Sequence, residues 1–246
     1  MGRISLELVP RTKESFAKEL GRVRNDFPCV DTLNIPDILK FDVRIPEACE
    51  VAVSYFSRVI PHIRAVSIDR REPFFYKEFF TEKNIREVLV ILGDNPEIVS
   101  KSEESCTSVE LIEKLKREMP DLKVYAGLDQ WRTSFEEEMD YVRQKKAAGA
   151  DGFFTQPFFD LDLMGKYAKA LKDTEVFFGL APVIRESSRE YWQTKNNVVF
   201  PEDFECSMDW NQRFAKEVLK RADADNTHVY LCPITIDFVE YLKGIF

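Results

Sequence analysis

Gln156 stands in the stretch Gly152-Phe153-Phe154-Thr155-Gln156-Pro157-Phe158-Phe159-Asp160, where a planar amide followed by a proline and two aromatic rings can recognise a flat heterocycle. Glu7 lies between Leu6 and Leu8. Burial there would desolvate its carboxyl, raise its proton affinity and let it deliver a proton near neutral pH. The alternative is a surface glutamate, or one paired with Arg3 or Arg11. Asp94 sits in Gly93-Asp94-Asn95-Pro96, where an aspartate can simply make the turn. Gln156 too has a plainer reading, as a loop cap beside core phenylalanines.

Three such residues make one site only if the chain brings them together, and the elements between them suggest that it does. Residues 4 to 9 read as a strand. Phe16, Leu20, Val23 and Phe27 then recur at the spacing of one helical face, with Thr12 as cap. Further strands are expected near Cys29 to Ile35, Ile63 to Ile68, Glu87 to Leu92, Lys123 to Gly127, at Phe153, from Glu175 to Leu180 and from His228 to Cys232. Helices fall between them: around Pro46 to Phe56, Phe74 to Phe80, from a Thr107-Ser108-Val109-Glu110 capping box to Pro120, from Thr133, from Leu161 to Leu171, from Asn211 to Arg221 and from Asp237 to Lys243. Glu136 to Glu138 suit the first turn of the helix from Thr133, Lys145 and Lys146 its last, and Gly149 its left-handed stop.

Eight strands alternating with helices in 246 residues is the arithmetic of a single-domain (β/α)8 TIM barrel, with parallel right-handed crossovers. A doubly wound sheet is the runner-up, but nine glycines include no G-x-G-x-x-G turn after an early strand. In a barrel, Glu7, Asp94 and Gln156 each lie at or near the carboxyl end of a strand, the end where ligands bind. The seventh unit is irregular: residues 182–210 form an excursion in which Trp192 and Trp210 either pave a ligand's outer face or pack as satellite core, the commoner role of such aromatics.

Composition excludes several classes. A net charge of −8 without a long basic run lacks the electrostatic footprint of a nucleic-acid binder. No apolar run approaches membrane-spanning length and no signal-peptide core follows Met1, so a cytoplasmic location is expected, with no membrane partner. Five scattered cysteines without a C-x-x-C pair encode neither a disulfide frame nor a zinc site. The aromatic cluster Phe74-Phe75-Tyr76 with Phe79-Phe80 is a contact face or, more commonly for such clusters, barrel-to-helix packing.

The run Ala148-Gly149-Ala150-Asp151 through Thr155-Gln156-Pro157-Phe158-Phe159-Asp160, with Leu6-Glu7-Leu8-Val9-Pro10, Pro61-His62 and Leu92-Gly93-Asp94, resembles in order and spacing the methylenetetrahydrofolate reductases, over about residues 3 to 183. Members of that family are flavin-bearing barrels that reduce methylenetetrahydrofolate to methyltetrahydrofolate with electrons from a nicotinamide cofactor, NAD(P)H. The resemblance implies Glu7 as the general acid, Asp94 as a pterin-contacting carboxylate and Gln156 as the pterin-binding amide, with Phe158 beside it in the substrate site. It implies His62, Ala126, Trp131 and Lys145 at or near the cofactor. Asp94 would then accept two hydrogen bonds from the amino-pyrimidine edge.

The flavin shell departs from the family's pattern. The second strand ends in Asn34-Ile35-Pro36-Asp37 where a threonine-tyrosine-glycine turn is usual, and the fifth is followed by Ala126-Gly127-Leu128-Asp129-Gln130-Trp131 in place of an Ala-x-Tyr-Pro segment. The usual Asp and Asn flavin contacts fall near Glu138 and Tyr141, while Arg143 could reach a phosphate. Two routes stay open, through FAD or by direct hydride transfer with Trp131 filling or gating the flavin's space. Beside the reductase stand two further readings: a folate-binding or electron-accepting subunit that needs a partner protein in a larger complex, and another tetrahydrofolate-linked one-carbon enzyme on the same barrel. A homo-oligomer or a partner subunit is the assembly expected for the chain.

Overall fold

The computed structural model describes residues 2–93, 104–234 and 236–246, and Asp94 therefore lies outside the described residues. Eight parallel strands close in sequence order into a barrel: β1 (Ile4–Glu7), β2 (Thr32–Ile35), β3 (Val59–Arg64), β4 (Glu87–Ile91), β5 (Lys123–Leu128), β6 (Gly152–Pro157), β7 (Glu175–Leu180) and β8 (His228–Leu231). β8 pairs back on β1, with Ser5 opposite Tyr230. Around them lie α1 (Lys13–Asp26), α2 (Ile45–Ala52), α3 (Lys77–Glu82), α4 (Ser108–Glu118), α5 (Phe135–Ala147), α6 (Leu161–Ala170), α7 (Glu186–Asn196), α8 (Met208–Asp225) and α9 (Phe238–Lys243). Among the described residues no helix is long and apolar enough to cross a membrane.

Local chemistry sets these boundaries. Reciprocal capping boxes start α1 (Thr12 with Ser15), α4 (Thr107 with Glu110) and α5 (Ser134 with Glu137), and each satisfies amides that the first helical turn leaves open. Gly149 follows α5 at φ +105, a left-handed step that glycine takes without steric cost. Side chains alternate across each strand, so adjacent residues serve different cores. Phe153 belongs to the outer core under the helices, as do Val124 and Phe178 on the neighbouring strands, whereas Phe154 packs inside the barrel with Ile60, Leu89, Tyr125, Phe177 and Tyr230. Its ring stacks on Phe177 at 4.1 Å and meets Tyr125 edge-on at 5.1 Å.

Two expectations need correction. β3 runs over Val59–Arg64 and passes through Pro61, while Ala65–Ser67, inside the expected strand, forms a single 3₁₀ turn. Proline reads as a strand breaker, and the apolar residues after it imitate a strand. His62 is thus mid-strand and faces inward. The excursion at 182–210 is partly regular, since α7 occupies Glu186–Asn196 without burying any residue, and the segment beyond it collapses into an aromatic satellite core of Phe159, Val198, Phe204 and Trp210. The cluster around Phe74 is mainly packing: Phe74 and Phe80 are buried and only Phe75 is well exposed.

The amino-terminal end of the barrel is closed by charge. Arg3 donates to the Tyr125 hydroxyl at 3.0 Å and pairs with Glu87 at 2.8 Å, and Glu175 receives Tyr125 at 2.8 Å, Lys123 at 2.5 Å and His228 at 3.3 Å. Burial by itself would raise the Glu175 pKa, but the hydrogen bonds from His228, Lys123 and Tyr125 outweigh it and bring the carboxyl down to about 2. A depressed carboxylate stabilises the fold fully above its unfolded pKa and loses that contribution as pH falls towards its folded value. Acid titration followed by circular dichroism should show the wild type losing stability between about pH 4.5 and pH 2. Glu175→Gln should be less stable at pH 7 and flatter through that window; an unchanged profile would remove Glu175 from the floor's energetics.

Candidate active site

At the opposite end, a cavity of about 420 Å³ opens among the carboxyl ends of the strands. Glu7, His62, Arg64, Phe154, Gln156 and Tyr230 are among its wall residues, with Trp192 from α7 above them. Of the residues singled out from the sequence, Glu7, His62 and Gln156 meet here.

Glu7 is the last residue of β1, turned inward and 6% exposed. Its partner comes from the neighbouring strand: the Tyr230 hydroxyl donates to Oε2. Neither of the arginines nearest to it in sequence is paired with it: Arg3 is held in the floor network and Arg11 points to Glu19 and the Ile234 carbonyl. Burial therefore dominates and pushes the carboxyl pKa up to about 7, with the Tyr230 hydrogen bond restraining the rise. His62 Nε2 lies 3.9 Å from the same oxygen but makes its hydrogen bond to Asn34 Oδ1 at 3.0 Å, and Asn34 in turn donates to Ser5 Oγ. Burial lowers the His62 pKa to about 3, so the imidazole is neutral near pH 7 and the contact with Glu7 is not an ion pair. Near neutrality Glu7 thus exchanges a proton beside an uncharged ring.

Gln156 owes its position to an irregularity. The pairing of β6 with β7 shifts register between Phe154 and Pro157, and a bulge of that kind re-aims side chains. Thr155 Oγ1 accepts from the Gly179 amide at 2.8 Å and donates to the Gln156 carbonyl at 2.8 Å. Gly179 must lack a side chain, since a Cβ there would lie 2.6 Å from the Thr155 carbonyl oxygen. From the other side, Gln130 Nε2 donates to the carbonyls of Gln156 at 2.8 Å and Pro157 at 3.1 Å, and the Trp131 indole donates to Pro157 at 2.9 Å.

The remaining residues implied by resemblance lie elsewhere. Phe158 follows the end of β6 and packs outward on Tyr167, Phe178 and Trp131. Ala126 faces the helices, because alternation gives the inward position to Gly127. Lys145 is buried on α5 and donates to the Gly127 carbonyl at 2.6 Å, with burial lowering its pKa to about 8. Trp131 clamps the end of β6 and does not line the cavity. Trp192 does line it, while Trp210 belongs to the satellite core. Tyr230, Asn34 and Gln130 did not stand out as site residues in the sequence. Tyr230 shares the inward parity of Cys232, but only the pairing of β8 with β1 brings it to Glu7. No group of His, Cys, Asp and Glu among the described residues is arranged to hold a metal ion.

The family model for methylenetetrahydrofolate reductase matches residues 58–212, more than half of the chain. A search of curated proteins finds no match. Among solved structures, an uncharacterized protein from Clostridium thermocellum that binds two copies of 5-methyl-5,6,7,8-tetrahydrofolic acid superposes with a TM-score of 0.65 at 14% identity, covering 99% of this chain and 93% of that one. A 2,3-dimethylmalate lyase of the PEP mutase/isocitrate lyase superfamily gives 0.60 at 10% identity, covering 95% of this chain and 75% of that one. An oxaloacetate acetylhydrolase in complex with 3,3-difluorooxalacetate gives 0.61 at 10% identity, covering 98% and 78% respectively. At such identities the likeness is one of fold.

The Glu7–Tyr230 pair makes a direct prediction. Removing the donor leaves burial unopposed, so Tyr230→Phe should raise the Glu7 pKa above its value of about 7. Carboxyl-selective NMR titration of the wild type and the variant checks this. A downward shift, or none, would show that the hydroxyl does not restrain the carboxyl.

Proposed function

The chain belongs to the methylenetetrahydrofolate reductase family, and on that premise we propose that it binds the pterin of methylenetetrahydrofolate in the barrel mouth and reduces it to methyltetrahydrofolate with hydride from NAD(P)H. The observation that carries this reading is a buried carboxyl, with a pKa of about 7, sharing one cavity with the Gln156 amide. The tetrahydrofolate bound by the solved Clostridium thermocellum protein adds support for the ligand class.

The chemistry needs both groups. The methylene carbon of the substrate bridges two nitrogens in a five-membered ring and accepts hydride well only after one nitrogen is protonated and its bond to that carbon breaks, leaving an iminium. Glu7 supplies the proton. Hydride from the dihydronicotinamide then adds to the iminium carbon to give the methyl group, the oxidised nicotinamide leaves, and Glu7 regains a proton from water. A general acid works best when its pKa lies near the working pH, which its burial provides. The Gln156 amide, carrying both a donor and an acceptor in one plane, suits the amide-like edge of a pterin. Its place at the mouth is fixed from both sides by Thr155 and Gln130.

The residues present do not fit a flavin in the manner that the resemblance implies. Of the four positions, only His62 reaches the cavity. The Lys145 ammonium and the Trp131 indole are committed to backbone carbonyls of β5 and β6, and Ala126 faces the helical layer. The proposed route therefore takes hydride from the nicotinamide directly.

The test is nicotinamide oxidation by the purified protein with methylenetetrahydrofolate, with and without added flavin, alongside calorimetric binding of methyltetrahydrofolate. Turnover without flavin is expected, and Glu7→Gln should lower kcat by about a hundredfold or more while methyltetrahydrofolate still binds. Binding without turnover in any combination would favour the folate-binding reading. Full turnover by Glu7→Gln would remove Glu7 from the mechanism.

A further inference from the structure

Two cations from segments distant in sequence stand at the mouth of the cavity. Lys40, in the loop between β2 and α2, is exposed and lines the cavity. Arg11, in the loop between β1 and α1, donates to the carbonyl of Ile234, which lines the same cavity beyond β8, at 3.2 Å. The two cations share one ring: the Arg11 guanidinium lies 5.9 Å, and the Lys40 ammonium 6.0 Å, from the centroid of Phe41.

The loop that presents Lys40 and Phe41 is held in shape. The Arg44 guanidinium reaches back to Asp37 at 3.4 Å and to the Leu39 carbonyl at 3.1 Å, and also donates to the Phe41 carbonyl, while the Phe41 amide closes a turn on Ile38 at 3.1 Å. Arg44 thereby engages the carboxylate of Asp37, the acidic residue of this loop that lines the cavity. Glu19 lies 4.0 Å from Arg11, at the outer limit of an ion pair, with Asp237 close enough to Glu19 to act on its charge. In a chain of net charge −8, these two cations stand beside one aromatic ring at the mouth. Fixed local cations of this kind attract an anion that the rest of the molecule repels.

We propose that Arg11 and Lys40, both beside Phe41, form an anion subsite for the outer end of a ligand whose heterocyclic head lies in the cavity. The proposal rests on the folate and nicotinamide reading above and extends it from the reacting head to the remainder of the ligand. Two anions fit the chemistry: the carboxylates of a folate's aryl-glutamyl tail, whose aromatic ring can pack on Phe41, or the phosphates of the nicotinamide dinucleotide. Both are flexible, negatively charged extensions of a planar head, and the rim can meet either without deep burial.

Isothermal titration of wild type, Arg11→Gln, Lys40→Gln and the double variant tests the subsite. The probes are 6-methyltetrahydropterin, which has no tail, 5-methyltetrahydrofolate with one and with three glutamates, and NADH and NADPH. Both side chains lie at the surface, so the variants should keep the wild-type Tm. The double variant should bind the triglutamate about three- to tenfold more weakly, as expected for exposed charge contacts, and the tailless pterin unchanged. A loss confined to the dinucleotides would equally support the subsite and assign it to phosphate. Wild-type affinity of the double variant for every probe, or equal weakening of the tailless pterin, would overturn the subsite and leave the pterin site standing. Failure of the wild type to bind any probe would overturn both.

Discussion

Alternation of side chains across the closed ring of strands is the constraint on which the molecule depends. With a period of two, each strand residue belongs either to the space inside the barrel or to the layer under the helices, and a slip of one position exchanges the two sets. Leu6 and Glu7 show the consequence: the leucine packs outward in the main core, while its neighbour closes the wall of the cavity. The same rule sends Ala126 out and Gly127 in, and Phe153 out and Phe154 in. Chemistry at the mouth is therefore a property of parity before it is one of residue type.

The site stores an unfavourable placement that the rest of the barrel must hold. A carboxyl with a folded pKa near 7 destabilises the protein by on the order of 3 kcal/mol once pH exceeds that value, relative to a solvated glutamate. The interior aromatic stack beneath it and the hydrogen-bonded wall beside it keep the geometry nonetheless. Asn34 fixes the His62 ring, and Thr155, Gly179 and Gln130 fix the backbone of Gln156. Asn34, Thr155 and Gln130 thus spend hydrogen bonds on other protein atoms and hold His62 and Gln156 in place for a ligand.

Much of this was legible in the chain. Strand and helix alternation gave the barrel, capping boxes at Thr107 and Ser134 gave helix starts, and the carboxyl-end rule placed Glu7 and Gln156 at one mouth. Similarity of letters at the positions implied for a cofactor does not carry parity or prior commitments. Lys145 matches a contact position yet is consumed by the Gly127 carbonyl, and the Trp131 indole by Pro157. Tyr230 escaped notice for a different reason: its relation to Glu7 spans the closure of β8 on β1, a contact of very long sequence separation that no local pattern encodes. The early start of β3 was hidden by Pro61.

The two ends of the barrel make opposite demands on protons. The floor is strongest when Glu175 is ionised, and the mouth is ready to act when Glu7 is not. Between the acidity that uncouples the one and the alkalinity that empties the other lies a plateau in which scaffold and donor are both in order. The molecule's useful range is thus bracketed by two carboxylates at opposite ends of one ring of strands.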